Sequence, residues 1–119
     1  MTTPMSTAAG SATELIERVR ALAPLSDADL ARATGTTDEV AGAWREGRGE
    51  PRDWQLVRLQ ELHDVVALAA DVVKADTIAL WLREPIPRLH DRVALDVIAG
   101  GEHEEVLAVM DELRHGAFS

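Results

Sequence analysis

Between Trp54 and Val73 the sequence puts two apolar stripes on one helix. Leu59, Leu62, Val66, Ala69 and Val73 recur at helical spacing on the first, and Val65, Leu68 and Val72 form the second. An apolar surface that wide is more than one neighbour covers, so the spacing predicts burial on two sides. The rest of the chain must supply both covers, which makes this helix the connector between an N-terminal helical bundle and a C-terminal segment. With 119 residues there is one main core and no room for a large enzyme. The same apolar surplus predicts a homodimer.

The segments on either side read as shorter helices. Leu15, Ile16, Val19 and Leu22 keep helical spacing and stop before Pro24, which disfavours a helical residue just ahead of it. Ser26 followed by Asp29 has the layout of a capping box, opening a helix of about two turns that ends at Gly35. Thr36 and Thr37 cap the next helix, which runs through Val40 to Trp44 and is closed by Gly47, Gly49 and Pro51. Two short helices joined at a glycine predict a helix-turn-helix. Beyond Val73 come a short helix ending near Leu82 and a proline-stiffened loop from Pro85 to His90. A helix from about Asp91 to Ala99, a stop at Gly100 and Gly101, and a last helix to about His115 complete the pattern. No alternating strand pattern competes, so the expected class is all-α. Residues 1–11, rich in Thr, Ser and Ala, are read as a disordered tail.

Charge and composition narrow the functional classes. Twelve Lys and Arg stand against 21 Asp and Glu, a formal net charge of -9. Residues 1–74 carry 8 basic and 12 acidic side chains and residues 75–119 carry 4 and 9, so neither half is a basic nucleic-acid grip. Such a balance repels a phosphate backbone at long range and favours a basic partner surface. There is no cysteine, hence no disulfide framework and no thiol nucleophile. The N-terminal stretch has neither a basic n-region nor an apolar h-region, and no apolar run is long enough to span a bilayer; the expectation is a cytoplasmic protein without membrane contact. His63, His90, His103 and His115 never pair at helical spacing, so no metal site is expected. No phosphate-cradling loop or nucleophile motif occurs, so no catalytic residue and no cofactor is expected either.

Two stretches carry a family resemblance. LARATGTTDEVAGAWREGRGEP resembles the helix-turn-helix of Xre-type regulators, with Ala31 at the helix contact, Gly35 at the turn, and Trp44 and Gly47 at the end of the second helix. WLREPIPRLHDRVALDVIAGGEHEEVLAVMDELRHGAF resembles the C-terminal toxin-binding domain of the Xre/MbcA/ParS antitoxin family, in which Trp-Leu is followed by a proline loop, a short helix, a glycine and an apolar helix ending in Gly-x-Phe. The resemblance implies an Xre-like helix-turn-helix domain with its connecting helix over 12–74 and a toxin-binding domain over 75–119. It also implies that the latter covers the active site of an NAD-consuming RES-domain toxin. One departure stands out: Val93-Ala94 replaces the family's Thr-Pro. The lost proline costs little, since it only pre-sets the helical φ.

On that resemblance the toxin-binding residues are Trp81, Arg83, Pro85, Leu89, Gly100, Gly101, Met110, Leu113, Gly116, Ala117 and Phe118, and the last three are candidates to enter the toxin's cleft. Each has a plainer reading: Trp81 as core packing, the glycines as a helix C-cap, Phe118 folded back beside Met110 and Leu113. Glu102, Glu104 and Glu105 lie in a helix's first turn, where the dipole favours carboxylates. For promoter DNA the candidate contacts are Thr37, Arg45, Arg48 and Arg52. The base-reading positions are Thr37, Asp38, Glu39, Gly42 and Ala43, and the two carboxylates among them face phosphates with like charge. The alternative is a stand-alone transcriptional regulator whose C-terminal helices dimerise.

Overall fold

The computed structural model describes residues 8–115, with side chains from residue 12 onward. Gly116, Ala117 and Phe118, and most of the expected tail, lie outside the described residues. Seven helices are described: α1 (Ala8–Leu22), α2 (Asp27–Thr34), α3 (Asp38–Arg45), α4 (Asp53–Ala70), α5 (Ala75–Arg83), α6 (Ala94–Ala99) and α7 (His103–Arg114). A two-strand hairpin, β1 (Pro85–Ile86) and β2 (Arg92–Val93), and a 3-10 turn at Pro87–Leu89 separate α5 from α6. The class is all-α. The first helix starts at Ala8, seven residues ahead of Leu15, where its apolar pattern begins.

Local chemistry sets the ends of α2 and α3. The Asp29 amide donates to Ser26 Oγ at 3.2 Å and the Ser26 amide donates back to Asp29 Oδ2 at 2.8 Å, closing the capping box. Gly35 ends α2 with φ at 69°, and its N–H returns to the Ala31 carbonyl. Thr37 Oγ1 then accepts the Val40 amide at 3.2 Å and starts α3. Across the bundle, the Thr13 hydroxyl donates to the Trp44 carbonyl at 2.7 Å, tying α1 to the end of α3.

The long helix is buried on both faces. Leu59, Leu62, Val65, Val66 and Ala69 are fully enclosed, with α1 and α2 on one side and α7 on the other, while Leu68, Val72 and Val73 are half-buried against the same core. Two-sided burial is therefore satisfied within one chain, and the argument from apolar surplus to a homodimer loses its premise. Among the described residues the large apolar side chains left exposed are Val40, Trp54, Val57 and Leu80.

Two corrections concern the connection after α5. No strand was expected, yet Pro85 pairs with Val93 and Ile86 with Arg92 in antiparallel register. The helix expected from Asp91 begins only at Ala94, because His90 and Asp91 take left-handed φ of 61° and 62° to close the hairpin and Arg92 and Val93 are extended. Val93 then serves as N-cap with no side-chain acceptor. The cost of replacing the family's Thr-Pro thus lies in the lost cap at Val93 rather than in Ala94.

The segments before and after α4 share one hydrophobic cluster, and α2 packs on α6. Two ion pairs tie α2 to the C-terminal segment, one to the end of α5 and one to α6. Arg83 Nε donates to Asp29 Oδ1 at 3.0 Å and Nη2 to Oδ2 at 2.7 Å. Arg32 forks Asp96 at 2.6 and 2.8 Å. The second pair is half-exposed and contributes little, whereas the Asp29 side chain is only 8% exposed. Burial pushes the Asp29 carboxyl up, but the Arg83 guanidinium and the Ser26 amide and hydroxyl outweigh it, so the net shift is downward from 3.8.

A depressed carboxyl means that the folded chain holds this proton less tightly than the unfolded chain. Its contribution is complete above about pH 4 and is lost as the pH falls through the folded value. Asp29→Asn is expected to lower stability at pH 7 by about 1–2 kcal/mol, allowing for solvent screening at Arg83. Thermal melts of both proteins from pH 7 down to pH 2.5 check this: the gap narrows as the pH falls, and a gap independent of pH would exclude the pair as its source.

Candidate partner-binding surface

The sequence-derived toxin-binding residues divide by burial. Leu89 and Met110 are 1% and 0% exposed and offer a partner no surface. They hold the 3-10 turn and α7 in the core. Trp81 and Leu113 are half-buried against that core, while Arg83, Pro85, Gly100 and Gly101 are exposed. The Arg83 guanidinium is already spent on Asp29. What remains open is a surface formed by the outer side of α5, the hairpin and the turn between α6 and α7. No pocket opens among the described residues.

Arginine forks hold this surface in shape. Arg92 donates from Nε to the Leu89 carbonyl at 2.8 Å, from Nη1 to Glu102 at 3.1 Å and from Nη2 to Glu105 at 2.5 Å. Glu102 and Glu105 therefore fasten the hairpin to α7 as well as sitting at that helix's positive end. Arg88 reaches Glu112 from the same loop. At the α6–α7 turn Gly101 has φ of 83°, and the Arg58 Nη2 lies 2.8 Å from where its Cβ would stand, so only glycine fits without moving Arg58. Arg58 is held by Glu61 at 3.0 Å, and the other Glu61 oxygen lies 3.4 Å from His103 Nδ1. No residue-type pattern announced Arg58, Arg92 or Asp96, because Ala99, Glu105 and Arg32, which they reach, stand 41, 13 and 64 positions away and are brought near only by the tertiary fold.

The DNA candidates are differently placed. Thr37 Oγ1 is occupied as a helix cap. Arg45 forks Asp27 at 2.9 and 3.0 Å, and that hydrogen bond holds the Asp27 carboxyl below its ordinary value. Arg48 is paired with Glu46, whose carboxyl is likewise held down. Arg52 stands exposed at the start of α4, while Asp38 and Glu39 are exposed at the start of α3. Of the three candidate arginines, Arg45 and Arg48 are thus neutralised within the chain. Among the described residues no three metal-ligating side chains converge, and no helix is long and apolar enough to cross a membrane.

With that geometry in place, the chain can be set beside known proteins. No protein-family model matches it. The mycobacterial cidal antitoxin MbcA of Mycobacterium bovis is 32% identical over 75 residues, which are 63% of this chain and 66% of the relative's own length. MbcA of two Mycobacterium tuberculosis strains matches to the same extent. In three dimensions the chain superposes with a TM-score of 0.76 on a chain of the crystal structure of the M. tuberculosis MbcT-MbcA toxin-antitoxin complex. That match is 25% identical and covers 97% of this chain and 100% of the other.

The charge arrangement around α3 yields a prediction of its own. The free protein is expected to bind its own promoter no more tightly than about 1 μM at physiological salt, with affinity falling steeply as salt rises. Fluorescence anisotropy with a labelled promoter fragment checks this, and nanomolar sequence-specific binding by the chain alone would mean that Arg45 and Arg48 leave their carboxylates for phosphate.

Proposed function

The chain belongs to the MbcA-type antitoxin family, and from that starting point we propose that it binds and neutralises a cognate toxin of the RES type, covering the site at which the toxin consumes NAD. The observation that carries this reading is the likeness of almost the whole chain to a chain of the MbcT-MbcA toxin-antitoxin complex. The described residues supply the physical basis. Hairpin, α6 and α7 are fastened to each other by Arg92 and Arg88 and to α2 and α4 by Asp96 and Arg58, so the surface is formed before any partner arrives. A preorganised surface loses little conformational freedom on binding. Trp81, Pro85, Gly100 and Gly101 are its proposed contacts, with Leu89 and Met110 as its internal support. Gly116, Ala117 and Phe118 are proposed to continue it. On this reading the protein acts in the cytoplasm and any control of its own promoter requires the toxin, because multivalent assembly raises effective concentration where one copy binds weakly.

A regulator acting alone would need free cations near α3, and the pairing of Arg45 and Arg48 weighs against it.

The test pairs the chain with a RES-domain toxin, taken from the same genome where a neighbouring gene encodes one. Co-expression is expected to restore growth, and the purified chain to abolish NAD consumption at about one equivalent. Arg92→Ala is expected to weaken inhibition by about tenfold, because it releases the hairpin from α7 while leaving the core intact. Undiminished NAD consumption in the presence of excess chain would overturn the proposal.

A further inference from the structure

Trp54 and Val57 form an apolar step on the first two turns of α4 that nothing in the chain covers. They are 45% and 41% exposed and, three positions apart, share one face of the helix. The indole is not loose. Its Cη2 lies 3.3 Å from where a Cβ on Gly35 would stand, so the ring rests on the bare backbone of the α2–α3 turn. One face is thereby fixed while the remainder is displayed, an arrangement that binds a partner with little further loss of side-chain freedom. One helical turn beyond Trp54, Arg58 lies over Gly101, so the step runs directly into the α6–α7 turn.

The surrounding charge decides what fits there. Arg58 is held by Glu61 and Arg32 by Asp96. Asp53 and Asp64 stand exposed along the Val57 side, and the nearest ionisable partner of Asp64 is His63 at 3.9 Å. Arg52 stands exposed at the same end of α4, and the rim stays net negative because its other arginines are paired while Asp53 and Asp64 are both open. Phosphate is repelled. A second copy meeting this face across a twofold axis would bring carboxylate against carboxylate. The complement is a protein with an apolar socket bordered by Lys or Arg.

We propose that Trp54 and Val57 are a docking point for the toxin on the N-terminal part of the chain, contiguous with the Gly100–Gly101 turn, so that the toxin grips both parts at once. This rests on the antitoxin reading above. Half-exposed tryptophans on a rigid support are the side chains whose truncation costs a complex most.

Affinity for the RES-domain toxin that the chain inhibits is measured by biolayer interferometry on full-length wild type, Trp54→Ala and Val57→Lys, with thermal midpoints recorded in parallel. Each variant is expected to bind at least about tenfold more weakly, with midpoints within a few degrees of wild type. Asp53→Asn with Asp64→Asn is expected to flatten the salt dependence of the association rate. Should Trp54→Ala lose stability because Gly35 is uncovered, Val57→Lys decides alone, since an exposed mid-helix position tolerates lysine. Binding by Val57→Lys within about twofold of wild type overturns the docking point while leaving the antitoxin reading intact, and so does dissociation of a self-dimer at unchanged toxin affinity. Failure of the wild type itself to bind overturns both.

Discussion

Burial of α4 on both faces is the constraint on which the rest of the structure depends. A helix whose central residues are all enclosed needs two separate covers, and the chain provides them from its opposite ends: α1 and α2 from one, α7 from the other. Each fully buried aliphatic side chain contributes about 1.5–3 kcal/mol relative to exposure, so neither cover can be withdrawn cheaply. The N-terminal bundle and the C-terminal segment consequently share one core. A surface on the C-terminal segment is positioned by helices of the N-terminal bundle, and a partner that recognises the one is presented with the other in fixed relation.

Electrostatics then finishes what packing begins. Arginines that the sequence offered as ligands for phosphate or for a partner are paired with the chain's own carboxylates: Arg83 with Asp29, Arg45 with Asp27, Arg48 with Glu46. With 21 acidic groups against 12 basic ones the chain is net negative, and each such pairing leaves one fewer unpaired cation for a partner to meet. That suits a protein whose partner is basic and discourages one whose partner is nucleic acid.

The glycines at the two turns act in the same sense. At Gly35 the missing side chain lets Trp54 lie on the backbone, and at Gly101 it lets Arg58 do so. In each place the residue that covers the glycine belongs to α4. The helix that carries the core therefore also closes both turns, which joins the apolar step at Trp54 to the turn at Gly101.

Much of this architecture was legible in the sequence, and the legible part is local. The Ser26–Asp29 capping box, the Gly35 stop and the Thr37 cap each depend on groups within a few positions of one another, so residue type and spacing suffice to place them. The two stripes of α4 likewise announce two-sided burial, since helical periodicity maps sequence directly onto faces. The spacing did not contain the identity of the covers, which the fold gives as α1 and α2 with α7. Nor did it show the hairpin, whose strands are two residues each and whose turn uses left-handed His90 and Asp91 where no glycine marks the place. Arg83 reads as a free cation until the fold brings it to Asp29, 54 positions away. Dihedral preferences and caps are fixed by neighbours along the chain, whereas coverage, pairing and exposure are fixed by neighbours in space, and only the folded chain determines which those are.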